Sequence, residues 1–314
     1  MRPIMFYLLA LAAAHAQAQP SLEARFREQV AAEPQPAWIG YTVPATPGNH
    51  ETCDVGTRGV RPPGPVHLEP PDQVQILFRI EQHHVTKIRV VSEDCQLDSG
   101  GLPLRWIRDV PPPESVALLS SLALEHPDSD GALTAIALHA DPAADVALER
   151  FAAAGQPDKL REHAIFWLGA ARTRRGYQAL RRVVTEDPSD HIRDKAIFAL
   201  SISPDPEALD TMIAVAHNDA SAHVRSQALF WLAQKAGKKA VGAISDAVER
   251  DPDTEVKKKA VFALQQLPDG QGVPKLIELA RTNRNPAVRK QAMFWLGQSN
   301  DPRALAFFEE VLKR

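Results

Sequence analysis

Along this chain the spacing of apolar residues changes once, from every second position to every third or fourth. Val74, Ile76, Phe78 and Ile80 alternate with Gln75, Leu77, Arg79 and Glu81, which gives an extended segment one apolar face. Strands are predicted at 38–43, 74–81, 85–92 and 102–107, with a turn at 82–84, forming a small antiparallel β domain over 37–110. Pro111 to Pro113 close that region, because consecutive prolines cannot extend a hydrogen-bonded ladder. Beyond them the apolar spacing is helical, punctuated by Asp-Pro pairs beginning at Asp141, Asp187, Asp205, Asp251 and Asp301. Helix pairs are predicted at 114–139, 142–171, 175–201, 205–235, 238–266 and 270–298. A lone helix at 303–313 follows, and Glu309, Glu310, Lys313 and Arg314 are read as its polar, capping edge.

The helical part repeats itself. Octapeptides beginning at Arg161 (REHAIFWL), Arg193 (RDKAIFAL), Arg225 (RSQALFWL), Lys257 (KKKAVFAL) and Arg289 (RKQAMFWL) recur at a constant offset of 32 residues, with a weaker copy at Ser129. Such a period is the signature of a solenoid. The second helix of the repeat reads Ile or Val, then Arg or Lys, two variable residues, Ala, an apolar residue, two more positions and Leu. Examples start at Ile192, Val224, Val256 and Val288. On a helical wheel starting at Ile192, the apolar arc runs through Ala196, Leu200 and Ile197. Arg193 falls inside that arc, at about 100°, and therefore needs a partner.

This repeat resembles the HEAT-repeat family, in particular the short HEAT-like repeats of phycobilisome-lyase type, over about 114–314. It also resembles exported bacterial HEAT-repeat proteins. The resemblance implies an α-α superhelix, a HEAT-like solenoid whose second helices line the concave surface. It further implies a hydrogen-bonded ladder of Asp and Arg joining neighbouring units. The matching positions are Asp187, Asp219, Asp251 and Asn283, each six residues before Arg193, Arg225, Lys257 and Arg289. Lys257 and Asn283 depart from the pattern, so the ladder is expected to weaken there. Bilin attachment, the activity of the lyase members, is not carried over, because no motif beyond the generic repeat supports it.

One column stands apart from the core arc. Phe166, Phe198, Phe230, Phe262 and Phe294 fall at about 240° on the wheel, flanked by Lys195, Gln227, Lys259 and Gln291. The position after each Phe alternates Trp167, Ala199, Trp231, Ala263 and Trp295, which suggests a double unit of 64 residues. Two readings of the Phe column stand: an apolar stripe that docks a partner, or packing between adjacent second helices. The Trp residues fit the edge of the core better than a contact surface, although they adjoin the same stripe.

Composition narrows the partner and the compartment. With 314 residues, 44% hydrophobic and 24% charged, the chain has the composition of a globular protein. A net charge of -3 argues against nucleic acid, whose binding depends on many Lys and Arg contacts to phosphate. Arg2, the apolar run Ile4 to Ala14 and the small residues Ala14, Ala16 and Ala18 form the pattern of a signal peptide over 1–18, so the protein is expected to be exported to the periplasm or secreted. Residues 19–36 read as a linker containing a short helix at 22–32. In an oxidising compartment Cys53 and Cys95 should pair, a cross-link worth about 4 kcal/mol for a loop of this length.

No metal site is assigned, because there is no C-x-x-C, and His83 and His84 as strand neighbours point to opposite faces. No nucleophile elbow, phosphate loop or H-E-x-x-H occurs, so no catalytic residue or cofactor is assigned. The expected function is therefore that of an exported, non-enzymatic scaffold binding a protein or peptide, with no small-molecule substrate and no membrane insertion once the signal is removed. The alternative is an accessory or regulatory component of an envelope enzyme system, with an active site in the β domain.

Overall fold

The period-two segment forms four strands in the computed structural model: β1 (Ala37–Pro44), β2 (Gln73–Glu81), β3 (His84–Ser92) and β4 (Leu104–Trp106). The structure describes residues 20–33, 36–47, 53, 72–125 and 130–313; the predicted signal peptide, most of the loop at 48–71 and Arg314 lie outside them. Alternation translates directly into burial. Ile39, Tyr41 and Val43 of β1, Val74, Ile76, Phe78 and Ile80 of β2, and Ile88 and Val90 of β3 share one buried face. β2 and β3 form an antiparallel hairpin through Gln82 and His83, both at positive φ, as a two-residue turn requires.

The sheet is mixed, which corrects the expectation of an antiparallel one. Its order is β3-β2-β1-β4, and β4 runs parallel to β1, with Trp38 opposite Leu104 and Gly40 opposite Trp106. The cause is a second apolar patch on the outer face, formed by Leu77 and Val91. After β3 the chain crosses that face, laying Cys95 and Leu97 on the patch, and reaches the free edge of β1 from the far side. Cys95 is disulfide-bonded to Cys53, so the crossing segment is covalently tied to the long loop.

Residues 22–32 of the segment read as a linker form α1 (Leu22–Ala32), capped by Ser21 and buried through Leu22, Phe26 and Val30 at helical spacing. Phe26 meets Phe78 edge to face, with centroids 4.7 Å apart. Six helix pairs follow: α2 (Pro112–Glu125) with α3 (Asp130–Leu138), α4 (Ala143–Ala152) with α5 (Asp158–Ala171), and α6 (Thr173–Glu186) with α7 (Asp190–Ile202). Then come α8 (Ala208–Asn218) with α9 (Ala222–Ala236), α10 (Val241–Arg250) with α11 (Thr254–Gln265), and α12 (Val273–Thr282) with α13 (Pro286–Gly297). α14 (Pro302–Leu312) is the last helix among the described residues. Its surface is not the polar cap expected, because Leu305, Val311 and Leu312 are exposed alongside Glu309 and Glu310. α14 keeps the register of a first helix, so Phe308 and Leu312 stand where Leu276 and Ala280 stand in α12, on the side that α12 covers with α13.

Sheet and solenoid share one core. α1 and the inner face of the sheet close over α2 and α3 in a continuous apolar cluster that runs on to Phe307. Pro111 to Pro113 therefore mark a change of secondary structure, not a break in packing. Gly131 shows how close the contact is, since a Cβ there would lie 2.5 Å from the Ile88 carbonyl oxygen. The end of β1 also hydrogen-bonds the end of α3, Thr46 N to Leu138 O at 2.7 Å and Ala140 N to Pro44 O at 3.0 Å.

A buried polar chain crosses this junction. Tyr41 Oη lies 2.7 Å from Ser115 Oγ, and Ser115 Oγ lies 2.9 Å from His139 Nε2. His139 Nδ1 donates to the Ala135 carbonyl at 2.6 Å, leaving Nε2 of the neutral ring to accept the serine hydroxyl. All three side chains are fully buried. Burial lowers the His139 pKa to about 4 and raises that of Tyr41.

The unfolded chain takes up a proton at His139 below about pH 6.5, whereas the folded chain resists it until about 4. This contribution is complete above the first value and is lost as pH falls to the second. Between about pH 7 and about pH 4.5 urea denaturation should show a loss of about 2 kcal/mol from this source, and His139→Gln should remove that part of the pH dependence.

Candidate partner-binding face

The turns that precede the second helices set the geometry of the face. Asp187, Asp219, Asp251 and Asn283 each accept a hydrogen bond from the backbone N–H two residues on, at 2.8 to 3.0 Å. Ser189, Ser221, Asp253 and Asn285 then cap α7, α9, α11 and α13. Second helices pack extensively on one another, while successive first helices touch little. The array therefore curves towards the second helices.

The arginines of these helices span the junctions between units. Arg193 reaches the carboxylate of Asp219 in the next unit at 2.9 and 3.0 Å, and Arg225 reaches Asp251 at 2.8 and 3.0 Å. The same guanidinium groups donate to the Asp187 and Asp219 carbonyls of their own turns. The pairing therefore runs between residues 26 apart, and the six-residue spacing supplies the backbone acceptor instead. Arg161 pairs with Asp187 in the same way, a rung that the 32-residue offset already contains. For Asp251 burial works against ionisation, but hydrogen bonds from Arg225 and the Asp253 N–H outweigh it and hold the carboxyl below its ordinary range.

The series stops where the sequence departs from it. Lys257 Nζ turns to the Glu249 carbonyl at 2.6 Å, and Asn283 Nδ2 faces the Glu249 carboxylate at 3.3 Å. Arg289 keeps the carbonyl contacts, to Asn283 at 2.8 Å and Arg284 at 3.2 Å.

On the opposite side of the same helices the predicted aromatic residues come together. Phe166 lies flat against Phe198 at 6.3 Å, and Phe230 against Phe262 at 6.4 Å. Trp231 reaches back to Phe198 at 4.8 Å and Trp295 to Phe262 at 4.9 Å. Within units, Phe166–Trp167, Phe230–Trp231 and Phe294–Trp295 pack edge to face at 4.9 to 5.1 Å. Eight rings thus form an unbroken row from Trp167 to Phe294. The Trp/Ala alternation has a steric cause: where Ala follows, that unit's Phe can stack on the Phe before it, and where Trp follows, the indole bridges the junction. Phe166 is 38% and Phe294 53% exposed, while Phe198, Phe230, Phe262 and the three Trp are half-buried by one another and by the core edge.

Histidines link adjacent second helices beside this row. Glu162 bridges His191 at 2.6 Å and Lys195 at 3.1 Å, His163 meets Asp130 at 3.1 Å, and His223 lies 3.9 Å from Asp194. Burial opposes ionisation of Glu162, but hydrogen bonds from His191 and Lys195 outweigh it and lower its pKa; half-buried Asp194 is instead shifted upward by burial. These pairs were not anticipated, although an acid recurs at 130, 162 and 194 and a His at 163, 191 and 223. Of the other predicted features, Cys53 and Cys95 are consumed by their disulfide, and His83 Nδ1 contacts the Val30 carbonyl, away from His84 on β3.

The family model for HEAT repeats matches residues 144–233 and 241–314, just over half of the chain. No protein of curated function matches the sequence. Among solved structures, human deoxyhypusine hydroxylase in complex with glycerol is 17% identical over 65% of this chain and 80% of that one, with a TM-score of 0.35. The complex of CpcE and CpcF of phycocyanin lyase from Nostoc sp. PCC7120 is 25% identical over 51% of this chain and 100% of that one, with a TM-score of 0.37.

The missing rung can be rebuilt. Asn283→Asp alone should destabilise, because it places a second carboxylate against Glu249, and Lys257→Arg alone should change little. Combined, they should show a favourable coupling of about 1 to 2 kcal/mol in a double-mutant cycle read by chemical denaturation.

Proposed function

Because this chain belongs to the HEAT-repeat family, and its second helices carry a continuous row of aromatic rings, we propose that it is an exported scaffold that binds a protein or peptide on that face without catalysing a reaction. The row of eight rings is the observation that carries this reading. Phe166 and Phe294 are exposed and the rings between them are half-buried, and covering the exposed part of a Phe such as Phe294 contributes about 1 kcal/mol. Several such rings in a line suit a partner segment laid across the units, since their mutual stacking leaves little to collapse or rearrange on binding. The Arg–Asp rungs on the other side of the helices keep the rings in register, so the surface is preorganised.

Export is supported by the leader-like pattern of residues 1–18 and by the disulfide between Cys53 and Cys95. No helix among the described residues is long and apolar enough to cross a membrane. The balance of charge, -3 overall, supports a polypeptide over a nucleic acid as the partner.

The test compares the wild-type mature chain with Phe166→Ser/Phe294→Ser in capture from an envelope extract, with captured proteins identified and thermal melting measured in parallel. These two rings are the most exposed of the row but each packs on a neighbouring ring, so the variant should stay folded with melting lowered by a few degrees while capture of the specific partner falls at least about tenfold. Undiminished capture of the same partner by the variant sinks the proposal.

A further inference from the structure

The row of rings lies between two other rows, each one helical turn away, and their chemistry changes along the array. On one flank stand Glu162 and His163, Asp194 and Lys195, Ser226 and Gln227, Lys258 and Lys259, and Lys290 and Gln291. On the other flank, Gln234, Gln266 and Gln298 follow Phe230, Phe262 and Phe294 in the last three units.

In the earlier units the acids of the first flank each face a side chain of the adjoining helix: Asp130 faces His163, Glu162 faces His191 and Lys195, and Asp194 faces His223. From α9 to α13 that flank has no carboxylate. Lys258 is held by Glu255, one turn further out, at 2.9 Å. Lys259 and Lys290 are exposed and make no ion pair among the described residues. Uncompensated positive charge thus lies beside Phe262, Trp295 and Phe294, on a chain whose net charge is negative. The opposite flank offers amides, which donate and accept equally well.

A ligand that meets all three rows must carry an apolar stripe, carboxylates along one edge and neutral polar groups along the other. A nucleic acid would need a denser set of cations than these lysines supply. Resting on the reading of this face as the docking surface, we infer that its C-terminal part, from Phe230 to Trp295, takes an acidic amphipathic segment of a partner polypeptide. Apolar side chains lie on the rings, and carboxylates meet Lys259 and Lys290. The lysines steer the segment and set its orientation, and the rings hold it.

Three synthetic peptides of about 16 residues test this, a length that as a helix spans three units spaced about 9 Å apart. One has a Leu stripe with Glu on its flanks, one replaces every Glu by Lys, and one keeps Glu but replaces Leu by Ser. Binding to the full mature chain is read by fluorescence anisotropy of the labelled peptides. The Leu/Glu peptide should bind at least about tenfold more tightly than either other peptide, and less so at raised salt. Lys259→Glu/Lys290→Glu should invert the preference between Leu/Glu and Leu/Lys, while Phe294→Ser should weaken both. Equal binding of Leu/Glu and Leu/Lys overturns the acidic preference and leaves the docking surface standing. Equal binding of Ser/Glu and Leu/Glu shows a polyanion effect and overturns the proposal. Failure of both Leu peptides to bind the wild type overturns the docking reading and this inference with it.

Discussion

Three successive second helices, α5, α7 and α9, each lend the next unit a guanidinium. Arg161, Arg193 and Arg225 cross to Asp187, Asp219 and Asp251 of the next unit, and those same carboxylates hold the turns from which the next helices start. One ion pair therefore fixes both the distance between units and the angle at which the following helix begins. The charges are buried, so the arrangement is tolerable only while each lone pair and N–H has its partner. The backbone carbonyl six residues before Arg193 and Arg225 supplies the remaining acceptor. From α5 to α11, register between units, and the rings displayed on the far side of the helices, follow from this network.

The aromatic row is the main consequence. Rings on consecutive helices can touch continuously only if the helices keep a constant offset, which the rungs enforce as far as α11. The two-unit period then arises from volume, because a Trp at every junction would crowd the Phe stacks and an Ala at every junction would leave gaps. Trp231 and Trp295 close alternate junctions, and Phe198 and Phe262 close the others. Beyond Arg225 the rung is lost, yet Phe262 and Trp295 still meet at 4.9 Å, so aromatic packing carries the register where the ion pair no longer does.

At the other end the sheet does for α2 and α3 what a further unit would do, covering their apolar side. The Tyr41, Ser115 and His139 chain satisfies the polar groups trapped by that closure. Arg172 then gathers the carbonyls of Ala137 and His139 and the carboxylate of Asp145, anchoring the end of α5 to the first helices. The junction is thus both the edge of the solenoid and a part of its core.

Much of this was legible before any coordinates, because local repetition and periodicity are properties of the chain itself. The strands, the helix pairs and the Phe column can be read from spacing, and the weakening of the ladder from the residue types at Lys257 and Asn283. What spacing cannot give is which residues meet across units. Arg193 crosses to the carboxylate of Asp219 and takes only the carbonyl of its own Asp187, the acids at 130, 162 and 194 face histidines of other helices, and β4 joins the sheet at an edge far from β3. Solvent exposure of the rings was equally beyond a helical wheel, since it depends on the curvature and on neighbouring rings. The sequence alone determined a repeating helical architecture with one aromatic position per unit, because each unit folds on local signals. Tertiary structure decided how those positions line up, because the side chains that join one unit to the next lie far apart along the chain.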